Sequence, residues 1–425
     1  MAKQRRWLLR LLLLIVVLIV AVVLLAPLVP LSPLKPAVES RLSSRLGRKV
    51  TVGSIYLTLV GGPYLTINRL AAKEDAAFGD GDFLLAERVR ANVAFGPLAL
   101  NREFVIQALE VNSPTITLIK NGDGAWNWTT VGESSTVGQS ATALGDYRHR
   151  LLCLIVDAAT EPAIERISVK GASIRVIDRA GEQKPESFYK NVDLDASISN
   201  AGADTSKAKG ELRARSEQSD STDLLATEMP FDLSIGKNQS SGRVIKGTVG
   251  PGRFESKNFA AEGFQIEAEM PDFQQSISTL NGTGRMQSTN LFIASVNVSE
   301  QVARKLGIEQ IGDMSPGTRT GQFESDFQID QGVVRTSNLR IQQMDGLGDA
   351  TANQGWFEIA SAPTLSYVVT VLLTSEATAK VKSTSPLFGA IISILESNNR
   401  FAVPVNITGE VRNPQVQVDV SRILN

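Results

Sequence analysis

One cysteine and one histidine among 425 residues leave little room for metal or nucleophilic chemistry. A lone cysteine excludes an intramolecular disulfide framework, and one Cys with one His cannot supply the three or four N/S ligands that zinc usually takes. A Ser-His-Asp enzyme would have to run through His149, and an H-E-x-x-H helix is impossible with one imidazole. No Walker A run and no G-x-S-x-G elbow are present, so no nucleotide cofactor or serine-hydrolase turn is expected. The 43 Lys+Arg balance 44 Asp+Glu, which leaves no overall field to attract nucleic acid. Aromatics are scarce at 6%.

Charge is absent most conspicuously near the N-terminus. Leu11 to Leu31 form 21 consecutive residues without a charged or hydrogen-bonding side chain, and at about 1.5 Å per residue such a helix spans the roughly 30 Å hydrocarbon core. Lys3, Arg5, Arg6 and Arg10 precede it without an acid, so the positive-inside rule leaves residues 1–10 in the cytoplasm and sends the rest across. A cleaved signal peptide has a shorter apolar region and a small-x-small site, which Ala26-Pro27-Leu28-Val29-Pro30 does not offer. The expectation is a single-pass anchor over 11–31. Without the four cations the exported part carries 39 Lys+Arg against 44 acids, a net charge of −5.

Ser32-Pro33-Leu34-Lys35-Pro36 ends any such helix, because proline lacks the amide donor. A short helix follows, with Val38, Leu42 and Leu46 on one face beside Arg41, Arg45, Arg48 and Lys49, and Gly47 as its stop. It either lies at the membrane surface or caps the first sheet. From Val50 the period changes from 3.6 to 2. Ile106 to Val111, Thr115 to Leu118 and Phe264 to Ala268 alternate apolar and polar residues as half-buried strands do. Gly-rich turns such as Asn121-Gly122-Asp123-Gly124 and Asn281-Gly282-Thr283-Gly284 separate them.

Repeats carry further information. Ile106, Leu109, Val111, Ile116 and Leu118 recur 58 positions later as Ile164, Ile167, Val169, Ile174 and Val176, with a central break at Pro114 or Ala172. A second pattern, glycine-x-apolar-x-Ser/Thr-x-Asn-apolar, occurs at 252–259, 284–291 and 332–339, and reads each time as a turn, a strand and an Asn-containing bend. Hairpins repeated without a fixed period favour a sheet that grows by neighbour stacking over one closed barrel. Residues 131–146 and 199–223 are Gly/Ser/Thr/Ala-rich and read as loops. Ser299 is the expected cap of a helix with Val302, Ala303 and Leu306, and Ser385-Pro386 opens an apolar helix through Leu395.

Few other polar constellations stand out. His149 and Cys153 lie i, i+4, and Asp193 and Asp195 share a strand face, but two carboxylates fall short of the 6–8 oxygens of calcium, so no metal is expected. Trp126 and Trp128 read as anchors of a strand end.

Taken in order, LGRKVTVGSI (46–55), GPYLTINRL (62–70), AERVRANVAFGPL (86–98) and IQALEVNSPTITLIKNGDGAWNW (106–128) resemble the N-terminal region of the AsmA family of Gram-negative bacteria. FESDFQIDQGVVRTSNLRI (323–341) and VPVNITGEVRNPQVQVDVSRIL (403–424) resemble its C-terminal region. The resemblance implies a mainly β protein: a transmembrane helix, then an elongated, curved, mostly antiparallel sheet forming a trough, with a few short helices. The division is a β-region over 32–198, a loop-rich connection over 199–250 and a second β-region over 251–425. It further implies a non-enzymatic protein of the inner membrane and periplasm, related to bridge-like lipid transfer proteins such as TamB and YhdP. Its partners would be phospholipid or lipopolysaccharide-type lipids and envelope assembly proteins, with no nucleic acid. The alternative is a scaffold for outer-membrane protein assembly that carries no lipid.

Alternation gives every strand one apolar face, and the side chains expected to line a lipid channel are Leu109, Val111, Ile116, Leu118, Ile167, Val169, Ile174, Val176, Phe264, Ile266, Phe327, Ile329, Leu339 and Ile341. The same alternation would equally build an ordinary closed core.

Overall fold

A computed structural model describes residues 31–58, 63–94, 106–122, 125–131, 164–179, 186–199, 205–215, 224–238, 242–256, 259–271, 280–294, 297–307, 317–358, 364–384, 386–410 and 413–419. The apolar 11–31 run (Leu31 apart), the loop expected over 131–146 (Val131 apart) and the His149/Cys153 pair lie outside them. Among the described residues no helix is long and apolar enough to cross a membrane. They form nineteen strands and four short helices, and the chain divides into two compact units, residues 1–203 and 204–425.

Unit 1 begins with helix α1 (Lys35–Leu46), which ends at Gly47 with φ 65°, a left-handed cap that glycine adopts without a Cβ penalty. Six strands follow: β1 (Val50–Thr58), β2 (Tyr64–Lys73), β3 (Asp82–Val93), β4 (Ile106–Lys120), β5 (Arg166–Asp178) and β6 (Glu186–Ser199). They pair in chain order, antiparallel except for β4 with β5. That parallel pair explains the long repeat, since each paired residue of β4 faces the residue 58 positions later: Leu109 opposite Ile167, Val111 opposite Val169, Ile116 opposite Ile174 and Leu118 opposite Val176.

The odd spacing inside each repeat has a structural cause. In a regular strand only i, i+2, i+4 share a face, so residues 111 and 116 should point oppositely. Ser113 (φ 46°), Gly171 (φ 62°), Arg69 (φ 52°) and Asn191 (φ 54°) are all left-handed, and registers place Arg69, Ser113 and Gly171 at one level across β2, β4 and β5. At that level each strand turns two successive side chains outward and then resumes alternation, as a bulge does. Burial follows the inversion: Val50 and Val52 then Ile55 in β1, Ile67 then Leu70 and Ala72 in β2, Val89 then Ala86 in β3. The outcome is apolar ladders crossing the unit, for example Ile55–Ile67–Val89–Val111–Val169–Leu194 and Val50–Ala72–Leu84–Ile116–Ile174–Tyr189.

Helix α1 lays Val38, Leu42 and Leu46 on the buried cluster of β1–β3, so the helix caps the sheet. It also covers the β1 edge: the Val50 amide donates to Ser43 Oγ at 2.8 Å and the Val52 amide to Glu39 Oε1 at 2.7 Å. The Leu31 amide donates to the Ile55 carbonyl at 3.1 Å. Donors and acceptors that a bare edge would offer to another chain are thus satisfied internally.

Unit 2 contains β7 (Thr205–Arg215), β8 (Leu224–Asn238), β9 (Gly242–Ser256), β10 (Phe259–Pro271), β11 (Gly282–Ser288), β12 (Asn290–Ile293), β13 (Thr318–Thr320), β14 (Phe323–Asp330), β15 (Val333–Met344), β16 (Gly348–Glu358), β17 (Thr364–Leu373), β18 (Ala402–Glu410) and β19 (Asn413–Val418). All pairings are antiparallel; β10 is followed by both β11 and β12, which lead to β14 and β13. The expected loop-rich connection over 199–250 is instead largely strand: β7, β8 and most of β9 fall inside it. Strand β7 has one large apolar side chain, Leu212, whereas β8 alternates Met229, Phe231, Leu233 and Ile235; β7 and β8 pair residue by residue, as in Thr205–Gly236 to Arg215–Ala226, and a backbone ladder needs no apolar face.

The helices are α2 (Val298–Lys305), α3 (Ser375–Thr384) and α4 (Pro386–Leu395). The cap of α2 is Asn297, whose side chain accepts from the Glu300 amide at 2.8 Å, and not Ser299, which lies inside the helix. Val302, Ala303, Ala377, Val381, Ile392 and Phe401 join Leu373, Val371, Val403 and Val405 in one buried core. The Gly-x-apolar pattern takes different roles. Gly332 lies in a turn, whereas Gly252 and Gly284 lie within strands, and Asn338 (φ 54°) bends the middle of β15.

Candidate functional site

Two apolar surfaces stand out, one in each unit. In unit 1 the ladders continue beyond the reach of α1: Leu109 and Val111 still touch the buried cluster, while Ile116, Leu118, Ile167, Val169, Ile174 and Val176 remain half-buried. The registers bring all eight candidates onto one face, in four opposed pairs. The alternate positions Arg166, Lys170 and Arg175 are exposed on the other.

In unit 2 the apolar face lines a half-open cavity of about 640 Å³ from β10 through β19, with Phe259, Met286, Phe323, Leu339, Ile341, Phe357, Tyr367 and Ile407 among its walls. Such a volume lies within the roughly 300–1,000 Å³ typical of small-molecule sites, and at about 30 Å³ per water-sized group it has room for about twenty methylenes. Leu339 and Ile341 line it; Phe264, Ile266, Phe327 and Ile329 do not. Their registers, Ile266 opposite Met286, Phe327 opposite Gly284 and Ile329 opposite Gly282, still place them on the cavity side of the sheet.

Among the described residues no charged side chain lines the cavity; its polar members are Thr318, Thr320, Thr336 and Tyr367. Thr318 Oγ1 accepts from the Val298 amide at 2.9 Å, and Thr320 Oγ1 donates to the Gly321 carbonyl at 3.3 Å. Thr336 Oγ1 lies 3.2 Å from the Tyr367 hydroxyl. Burial pushes the Tyr367 phenol above its ordinary value, the bond from Thr336 pulling the other way, so it is protonated at neutral pH.

A buried polar cluster in unit 1 does a different job. Arg48 pairs with Glu74 at 2.5 Å, with the two side chains 2% and 1% exposed. Arg48 also donates to the Asn127 carbonyl and stacks 4.1 Å over the Phe83 ring. Asn127 Nδ2 donates to Glu74 Oε2 at 2.5 Å and to the Thr117 carbonyl at 2.8 Å, while its Oδ1 accepts from the Ile119 amide at 2.9 Å. The Gly-x-Gly-x-Trp-Asn-Trp run is therefore anchored by Asn127, fully buried between half-buried Trp126 and Trp128. Arg48, which the sequence sets beside the charged flank of α1, is a core residue. Its partners stand 26 and 79 positions away, beyond any local pattern.

The remaining polar candidates are engaged with each other. Asp195 pairs with Arg166 at 2.7 Å, which holds its carboxyl below the usual range, and Asp193 accepts from the Gly171 amide at 2.7 Å. Among the described residues no group of three His, Cys, Asp or Glu side chains could hold a metal ion.

No curated protein sequence matches the chain. The family model described as the AsmA family matches residues 1–315, a span that takes in α1, the Arg48–Glu74–Asn127 cluster and the ladders of unit 1, so the chain belongs to the AsmA family.

Proposed function

We propose that this protein holds the acyl chains of membrane lipids on its apolar sheet faces and, anchored in the inner membrane with its bulk in the periplasm, supports outer-membrane lipid homeostasis. The carrying observation is the half-buried apolar strip of β4 and β5. A closed core would exclude water from Ile116, Leu118, Ile174 and Val176, yet all four keep partial exposure while their neighbours under α1 are sealed. Aligned, partly exposed apolar side chains are costly in water and mark a surface that something apolar covers. The unit 2 cavity, free of charged walls, supports the same ligand class: acyl chains gain from apolar contact, whereas a headgroup stays in water. The role is one of binding and carriage without catalysis. The apolar run over 11–31 and its four preceding cations support the membrane placement.

A scaffold that recruits envelope assembly proteins by strand addition is the competing reading, and the covered β1 edge disfavours it there. The test is to purify the full chain in detergent, extract it and weigh the extract by mass spectrometry. The expected result is phospholipid or lipopolysaccharide-type lipid at or above equimolar amount. Lipid-free protein that still captures envelope proteins would favour the scaffold, and loss of activity in His149→Ala would point to an enzyme instead.

A further inference from the structure

The unit 2 cavity is mostly apolar, and away from Thr318 and Thr320 of β13 its polar side chains, Thr336 and Tyr367, share one level. Registers align Gly284, Phe327, Thr336, Gly355 and Tyr367 across β11, β14, β15, β16 and β17. At this level two rings lie over glycines on the neighbouring strand: a Cβ at Gly355 would sit 2.1 Å from the Tyr367 ring, and one at Gly284 would sit 2.5 Å from Phe327. An aromatic side chain packed across a strand glycine is a recurrent way to fix a ring in sheets. It here holds the Tyr367 phenol beside Thr336 and within the cavity wall.

Proton counting then shows what this pair lacks. Each hydroxyl has one proton to donate. Thr336 Oγ1 has two acceptors within reach, the Tyr367 oxygen at 3.2 Å and the Gly355 carbonyl at 3.5 Å, the first being the shorter. When the threonine proton goes to Tyr367, the phenol proton is left to a partner in the half-open cavity, and burial keeps it on the oxygen. A ligand whose chain displaces solvent from this cavity must supply an acceptor for that proton or leave it unpaired.

We propose that Tyr367 donates to an ester carbonyl of an acyl lipid whose chain fills the cavity, so that this subsite distinguishes ester-linked from ether-linked lipids. The acceptor is uncharged because the walls carry no cation, and a carboxylate buried without one would be penalised heavily. Thr336 lies beside the phenol and does not itself meet the ligand. This inference rests on the lipid-binding reading above.

The test places a photo-crosslinking residue at Leu365, a wall of the cavity, in the full-length protein. The protein is offered an equimolar mixture of a diacyl phosphatidylethanolamine and its dialkyl-ether analogue of equal chain length, and the captured lipids are weighed. The expected ester-to-ether ratio is about two- to tenfold, the worth of one net hydrogen bond. It should fall to about one in Tyr367→Phe and persist in Thr336→Val, because the phenol proton survives that change. A ratio of one in the unsubstituted protein, or a preference that survives Tyr367→Phe, overturns the subsite while leaving lipid binding intact. Capture of neither lipid overturns the lipid-binding reading and this subsite together.

Discussion

In unit 1 one helix lies on β1–β3 and leaves the apolar face of β4 and β5 half-buried. In unit 2 three helices and Phe401 contribute to a core that seals Leu373, Val371, Val403 and Val405, beside a cavity of about 640 Å³. The means of cohesion differ as well. Unit 1 ties strands to a loop through a buried ion pair and an asparagine, whereas the largest core of unit 2 is held by apolar packing. A buried ion pair specifies geometry and tolerates loss of a partner poorly; an apolar core spreads its stability over many contacts. Unit 1 thus presents an apolar strip on a pinned frame, while unit 2 sets a half-open apolar cavity beside a sealed core.

That contrast can be broken first at Arg48. Arg48→Leu strands the Glu74 carboxylate in the interior, and the expected loss is about 3–5 kcal/mol. Segment-resolved hydrogen exchange should show lower protection in β1–β3 with β15–β18 unchanged; equal loss in both units would dissolve the distinction. The reciprocal change is Leu373→Ala, at a fully buried position, with an expected cost of about 2–5 kcal/mol. Exchange should then rise in β17, β18 and α3 but not in β1–β3.

A third variant sharpens the account of the left-handed line in unit 1. A Cβ at Gly171 would meet only Ser113 Oγ, at 3.8 Å, yet the residue sits at φ 62°. Gly171→Ala should therefore cost about 1–2 kcal/mol from conformation alone, against almost nothing for Gly81→Ala, which has open space and no left-handed φ. Equal melting temperatures for the two variants would refute the conformational explanation.

The smallest effect concerns Asp349 in unit 2. Burial pushes its carboxyl up, but the hydrogen bond from Arg400, the amide of Gln343 and the Arg400 charge outweigh that, and the net shift is downward. A depressed carboxyl contributes stability above the ordinary aspartate range of about 3.9, and this contribution is lost as pH falls through the lower folded value. The pair is partly exposed, so the contribution is small. Asp349→Asn should flatten unfolding midpoints of unit 2 between neutral and acid pH and leave unit 1 unaffected.

Much of this architecture is legible in the residues, for physical reasons that vary by element. The recurrence of Leu109–Leu118 at Ile167–Val176 is visible because a parallel pair buries equivalent positions together. The helix with Val38, Leu42 and Leu46 is visible through its period and its Gly47 stop. Strand β7 escapes notice because Leu212 is its single large apolar residue and backbone pairing holds it, whereas β8 does alternate Met229, Phe231, Leu233 and Ile235 but only after the polar run 215–223. Helix α3 escapes because only Ala377, Thr378 and Val381 are buried and its remaining residues are small or charged. The Arg48–Glu74–Asn127 cluster and the Thr336–Gly355–Tyr367 alignment depend on strand registers, and no spacing along the chain encodes them. The candidate surface is thus readable as a set of apolar positions, while its division into a strip in unit 1 and a half-open cavity in unit 2 requires the fold.

The central claim, that the apolar face of the sheet carries lipid, is tested most directly by comparing adjacent residues on opposite faces. Ile174 faces the ladder with Ile116, and Arg175 is exposed on the other side. With a photo-crosslinking residue at each position in turn, in cells supplied with labelled lipid precursors, the account predicts lipid adducts at Ile174 and none at Arg175. Equal labelling at the two positions, or labelling at Arg175 alone, would contradict it.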